Sequence, residues 1–341
     1  MKFVLYTNSL SEHQLPLARE IVRRIGDENF RYVYTGESSQ KFQESHAQES
    51  WIRCSKDDPW LEQADVMLVG GIRPIELLAR RAKKGLKTYY MSERWFKPLV
   101  LFDLRLFDCL ISVVLPGWVR MLVPGYRRMA KRFVKWVNEN SCVKFLPIGP
   151  WAAVDFRRLG VREDRMMPWG DFVSPSVGGS SRKGGCSLKV LWAGRELQWK
   201  RVRDIEKAVA MVNKKAKTSV DGGQRTICFT KLTGVTMAEV RKAMREHDVY
   251  VLASDATEGW GCVVNEALEE GMRVLGTFEA GASAAMLPKE RLYHAGDVKA
   301  LARLLELEAQ GGGSLPPCSI GEWTAQAAAT RLLKEIGYAI N

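Results

Sequence analysis

The sequence predicts an α/β protein built from two doubly wound domains, and three observations carry that prediction. Short apolar stretches alternate with amphipathic ones through both halves of the 341 residues, the pattern that lays strands parallel and helices across their faces. A run of Ser, Gly and charge, Ser174-Pro175-Ser176-Val177-Gly178-Gly179-Ser180-Ser181-Arg182-Lys183-Gly184-Gly185, separates the halves with almost nothing to bury. The length suffices for two cores of ordinary domain size. Expected boundaries are 1–173 for the first domain, 174–186 for the linker, 187–320 for the second domain and 321–341 for a closing helical segment.

Composition narrows the class. An apolar fraction of 46% and a charged fraction of 26% are those of an ordinary globular protein. Seven scattered cysteines, odd in number and without a Cys-x-x-Cys pair, argue against a disulfide framework or a structural zinc site and point to a reducing, cytoplasmic compartment. Met1-Lys2-Phe3-Val4-Leu5-Tyr6 enters a strand rather than a signal peptide. The net charge of +12 is uneven, with 28 Lys and Arg against 19 Asp and Glu in residues 1–170. Such a field favours an anionic partner: a diphosphate, an anionic membrane or a nucleic acid. The last is disfavoured, because no stacking motif or reader helix appears.

In the first half, strands are expected at Phe3–Thr7, Arg31–Tyr34, Asp65–Val69, Lys87–Met91 and Val143–Ile148, with helices at Gln14–Gly26 and Ile75–Lys84, the latter opened by Pro74. Ligands of such sheets bind beyond the C-terminal strand ends. Attention therefore falls on Asn8 to His13, on Gly70-Gly71, and on Ser92-Glu93-Arg94. His13 is either a cleft residue or a surface histidine near a helix start. Glu93 and Arg94 either work in the cleft or pair with each other. Cys109 to Val119 is uncharged, contains Pro116 and is too short to span a bilayer, which makes it a core segment. From Tyr126 to Val137, one helical face collects Tyr126, Met129, Ala130, Phe133, Trp136 and Val137 while Arg127, Arg128, Lys131, Arg132 and Lys135 gather on the other. This basic amphipathic helix is either a solvated outer helix or a contact with an anionic leaflet through residues 126–137.

In the second half, strands are expected at Leu188–Ala193, Thr226–Thr230, Asp248–Ala253 and Arg273–Thr277. Helices are expected at Asp204–Lys214, Met237–Glu246, Gly261–Glu270, Val298–Glu308 with Asp297 as N-cap, and Glu322–Ile336. Two strand–loop–helix units carry the chemistry. The first ends in Gly194-Arg195 with Lys200 five residues on, and an arginine fork with a lysine point charge suits phosphate oxygens. The second, Ser254-Asp255-Ala256-Thr257-Glu258-Gly259-Trp260-Gly261-Cys262-Val263-Val264-Asn265-Glu266, joins a glycine turn to a helix start between two carboxylates. Glycines admit a ligand to the backbone, the first N–H groups of a helix lack partners, and carboxylates accept two hydroxyls at once. For Glu266 the alternative is an exposed helix residue.

Glu258-Gly259-Trp260-Gly261-Cys262-Val263-Val264-Asn265-Glu266-Ala267 resembles the signature of retaining family-4 glycosyltransferases of the GT-B fold, and Val190-Leu191-Trp192-Ala193-Gly194-Arg195 with Lys200 resembles the same family's diphosphate-holding loop. Pro147-Ile148-Gly149-Pro150-Trp151-Ala152-Ala153 with Asp155 is similar to bacterial polysaccharide-assembly members. The resemblance implies two Rossmann-like domains facing a cleft, with the last helix crossing back to the first domain. It implies catalytic roles for Glu258, Lys200, Arg195 and His13. Donor contacts would come from Gly194, Arg195, Lys200, Leu232, Glu258, Gly259, Trp260, Gly261, Cys262, Val263 and Glu266, with Lys231 to Thr236 as the loop meeting the base and Glu279 to Ser283 closing the pocket. The glycine-rich loop that the family carries after its first strand is missing here. The implied activity is hexosyl or related transfer from a nucleoside diphosphate sugar to a glycan or lipid-linked acceptor, with no metal or cofactor. No Asp-x-Asp motif is present. A GT-B phosphorylase and a non-catalytic carbohydrate- or nucleic-acid-binding subunit are the alternatives.

Overall fold

The computed structural model describes residues 1–36, 49–106, 109–178, 185, 187–218, 225–311 and 313–339. Much of the expected linker, residues 179–184 and 186, lies outside them. The chain forms two compact units, Met1–Val173 with Ala325–Asn341, and Ser174–Thr324.

The first unit is a six-stranded parallel sheet of β1 (Phe3–Thr7), β2 (Phe30–Tyr34), β3 (Ile52–Cys54), β4 (Val66–Gly70), β5 (Lys87–Ser92) and, after the hairpin β6 (Leu99–Leu106) and β7 (Cys109–Leu115), β8 (Val143–Pro147). The order is β3-β2-β1-β4-β5-β8. Its helices are α1 (Leu15–Ile25), α2 (Trp60–Gln63), α3 (Ile75–Lys83), α4 (Pro124–Glu139) and α5 (Pro150–Leu159). Cys109 to Val119, expected as one core segment, divides between β7, in a two-stranded antiparallel hairpin apart from the main sheet, and a 3-10 turn. Pro116, which donates nothing to a ladder, marks the break.

The core here is aromatic. Phe145 and Phe156 meet at a tilt with centroids 4.0 Å apart, and Tyr90, Trp95 and Phe133 surround them. Helix α4 presents Ala130 and Val137 to this core and keeps Arg127, Arg128, Lys131, Arg132 and Lys135 outward, as its pattern predicts. Buried Arg81 donates to the carbonyls of Leu61, Ala64 and Lys87, which answers its charge without a carboxylate. Helix α5 was not expected. Gly149-Pro150 looks like the end of a strand, yet Pro fits the first helical turn, and Gly160 in the left-handed region closes the helix with Val161 N–H bonding Phe156 O at 3.0 Å.

The second unit is a five-stranded parallel sheet of β9 (Ser187–Ala193), β10 (Thr226–Leu232), β11 (Val249–Leu252), β12 (Arg273–Thr277) and β13 (Leu292–Tyr293), in the order β10-β9-β11-β12-β13. Its helices are α6 (Val202–Thr218), α7 (Met237–Glu246), α8 (Val263–Glu269), α9 (Gly281–Met286) and α10 (Val298–Ala309). Thr236 and Glu239 form a capping box on α7, and Asp297 caps α10 through Ala300 N–H at 2.8 Å. This core is aliphatic, built on Val190, Ile205, Val212, Val251, Leu275, Leu301 and Leu305. Buried ion pairs rim it: Glu308 with Arg291 at 2.7 Å and Arg273 at 2.9 Å, and Glu270 with Arg241 at 2.7 Å.

Helix α11 (Ala325–Glu335) belongs to the first unit, where Arg24 of α1 donates to Thr330 Oγ1 and Gln326 O, and Lys144 pairs with Glu335. The helix expected from Glu322 begins at Ala325, because Gly321–Trp323 forms a separate 3-10 turn.

Candidate functional site

In the second sheet, chain order reverses between β9 and β11, so the loops leaving these parallel neighbours emerge together at one edge. That edge is where doubly wound sheets bind ligands. The two motifs occupy these two loops. Asp255 N–H donates to Trp199 O at 2.9 Å, stitching one loop to the other. Beside the stitch, Lys200 Nζ forms an ion pair with Glu258 Oε2, the two side chains 20% and 14% exposed. Residues 58 positions apart thus meet directly.

Local chemistry explains how. Lys200 ends a 3-10 turn, and Arg201 follows at φ 49°, ψ 34°, a left-handed conformation that no other non-glycine adopts among the described residues. Arg201 is held there by a 2.6 Å bond to Asp204. On the other loop, the Asp255 side chain accepts Thr257 N–H at 2.8 Å and its carbonyl accepts Glu258 N–H at 3.0 Å, which turns the chain just before the carboxylate. Gly261, at φ 92°, takes a conformation that an L side chain resists, and a Cβ there would stand 3.3 Å from Leu252.

Beneath the loops lies Tyr250 of β11. Its hydroxyl donates to Ala193 O at 3.0 Å and accepts Ala193 N–H at 3.3 Å, pinning the end of β9. Burial, reinforced by the negative charges of Glu266 and Glu258, pushes this phenol far above its usual range and keeps it a neutral donor. Composition and periodicity gave no hint of this role for Tyr250. The turn after β12, expected to close the pocket, approaches as far as backbone allows: Gly281 N–H bonds Gly259 O at 3.2 Å, and a Cβ on Gly281 would lie 2.6 Å from that oxygen.

The remaining candidates sort themselves by position. Arg195 is exposed two residues past β9, and Gly194 precedes it. Glu266 is buried within α8, which sets aside its reading as an exposed helix residue. Trp260 is not a ligand platform: its ring is 1% exposed, its indole N–H donates to Asn265 Oδ1 at 2.8 Å, and it packs 5.1 Å from Trp323. Its neighbours Gly259 and Gly261 offer backbone. Helix α8 opens at Val263, two residues later than expected, leaving Gly261 and Cys262 in the turn. Leu232 is the last residue of β10 rather than a loop residue, and its carbonyl is already bonded by Gly194 N–H at 3.0 Å.

His13 belongs to the first unit, in the loop after β1. Its ring is half-buried, and that burial lowers its pKa below 6.5 against the opposing charge of Glu12. Glu93 and Arg94 do not pair with each other. Glu93 meets Lys97 at 2.5 Å, and Arg94 reaches the buried carboxylate of Asp155 at 3.4 Å. Among the described residues, no three His, Cys, Asp or Glu side chains converge as metal ligands, and no helix is long and apolar enough to cross a membrane.

No protein-family model matches the chain, and no curated protein matches it in sequence. Solved structures do match across nearly its whole length. The lipopolysaccharide outer core galactosyltransferase WaaB superposes with a TM-score of 0.64 at 13% identity, covering 99% of each chain. Anabaena HepE in complex with UDP gives 0.62 at 12% identity, over 99% of this chain and 100% of that one. A trehalose-6-phosphate synthase, a subject of work on glycosyl transfer with retention, gives 0.57 at 9% identity over 99% and 96%. Two doubly wound parallel-sheet units and these likenesses together show the GT-B fold.

Proposed function

We propose that the chain transfers a sugar from a nucleoside diphosphate sugar to a glycan or lipid-linked acceptor, with the anomeric configuration retained and without a metal. The observation that carries this reading is the Lys200–Glu258 pair at the reversal point of the second sheet. A cation and a carboxylate held together there match the two halves of such a donor, an anionic diphosphate and a hydroxylated ring. In this reading Lys200 and Arg195 exchange solvent and Glu258 for the diphosphate oxygens. Glu258, released, accepts hydroxyls of the donor sugar, and Glu266 accepts those of the ribose. Charge building on the leaving phosphate is stabilised by the two cations and by backbone N–H groups of the Gly259 to Val263 turn. The departing phosphate oxygen takes the acceptor proton as the new bond forms on the same face.

The names of the structural neighbours support the donor class, since one is a galactosyltransferase and another holds UDP. Surface polysaccharide assembly at the inner face of a membrane fits the basic face of α4. A panel of UDP-, GDP- and other activated sugars tests the donor: at 100 times its dissociation constant a true donor stabilises the protein by about 2.7 kcal/mol. With that sugar and excess EDTA, the protein should release nucleoside diphosphate, and Lys200→Ala should lower the rate by about 100-fold or more. Strict dependence on added metal, turnover with free phosphate and no nucleotide, or a fully active Lys200→Ala would overturn the assignment.

A further inference from the structure

Helices α3 and α4 do not close on each other over the first sheet. Between them lies a hollow of ≈ 490 Å³, floored by Leu78, Tyr90, Trp95, Phe133 and Trp136, within the size range of small-molecule sites. Its wall is apolar, yet Arg73, Arg128 and Arg132 stand in its lining and, among the described residues, no acidic side chain does. Arg73 lies 5.0 Å over the Trp95 ring and donates to Met129 Sδ at 3.0 Å, which fixes that guanidinium in place. The buried indole N–H of Trp136 has no acceptor. Around the helix starts the surface is apolar in a way solvent does not reward: Trp118 is 58% exposed, Leu122 73%, Val123 57%, and Ile75, the first residue of α3, 68%.

We propose that this hollow binds one anionic lipid, its hydrocarbon chain among the aromatic floor residues and its phosphate on Arg73, Arg128 and Arg132. An apolar hollow edged only by cations matches an amphiphile with an anionic head. Trp118, Leu122 and Val123 supply a lip that sits in the headgroup region while the chain is drawn in. A protein partner fits less well, since among the described residues the charged lining is of one sign. The inference stands on the first unit alone and holds whether or not the second takes a nucleotide sugar.

The probe is dodecyl phosphate brominated near its chain end, which quenches tryptophans it touches, used below its micelle concentration with the full-length chain. Quenching should saturate at one equivalent, and should drop sharply in Trp95→Phe/Trp136→Phe. Ala79→Phe fills the hollow from an exposed helix position. It should weaken binding at least about tenfold with the melting temperature unchanged. Arg128→Ser/Arg132→Ser should weaken it about tenfold and flatten its salt dependence. Four outcomes overturn the proposal: brominated dodecanol binding equally well, inorganic phosphate displacing the probe at equal concentration, quenching that never saturates, or Ala79→Phe binding like the parent.

Discussion

The two sheets reverse their strand order in the same way, between β1 and β4 in the first unit and between β9 and β11 in the second, yet they furnish that edge with opposite chemistry. In both, a tyrosine from a neighbouring strand secures the first loop. Tyr250 holds both main-chain groups of Ala193, whereas the Tyr32 hydroxyl meets Thr7, Ser9 O and Ser11 N–H. Above Tyr250 stand an ion pair and a second carboxylate. Above Tyr32 stand Asn8, Ser9, Ser11, a half-buried histidine and Gly71, whose Cβ would collide with Asn8 Oδ1 at 2.3 Å. Topology supplies the location of a site, and the loop side chains decide whether it meets a charged ligand or a neutral, hydroxylated one.

The sharpest way to break this comparison is kinetic. Glu258→Gln should reduce sugar transfer by about 100-fold, while His13→Asn should cost less than about tenfold, as removal of a positioned polar group rather than of charge stabilisation. Equal losses in steady-state assays would erase the distinction. Stability comes next. Tyr250→Phe leaves Ala193 N–H and C=O unmatched in a dry interior and should cost about 2–3 kcal/mol in denaturant melts, against about 1 kcal/mol for Tyr32→Phe, whose partners are loop groups. Gly261→Ala should cost about 1–2 kcal/mol through its left-handed backbone and weaken donor binding with it.

The smallest effect is one of pH. Burial holds the folded pKa of His13 below 6.5, so as pH falls the unfolded chain takes up this proton first. The stability tied to neutral His13 is complete above about pH 6.5 and is lost as pH drops through the lowered folded value. His13→Asn should therefore flatten the fall in melting temperature from pH 7 to 5, by about 2 °C. A steeper fall would reverse the sign of that burial.

Much of this was legible in advance because buried parallel strands are short, apolar and punctuated by glycine. The nine strands expected lie within a few residues of their observed ends, and Glu258 and Lys200 stand out because the two motifs that hold them resemble a known glycosyltransferase signature. What stayed hidden depends on partners distant in sequence or on backbone angles. That Lys200 and Glu258 neutralise each other follows from the adjacency of β9 and β11, which no local pattern records. Arg201 is left-handed although arginine has no preference for it, so only its bond to Asp204 and the loop geometry reveal the turn. The signals for α5, Pro150 and Gly160, were present but are shared with turns. For α4 the periodicity gave the correct faces, yet a helical pattern says nothing about the gap to α3 that forms the hollow.

Helix α11 has a consequence for how the polypeptide is made. It covers α1, which leaves the ribosome near the beginning, but it is itself synthesised only after every residue of the second unit. The first unit therefore waits, with the face of α1 that meets α11 uncovered, while the second can finish packing ahead of it. Removing Ala325–Glu335 would then injure the part translated first, sparing the second unit.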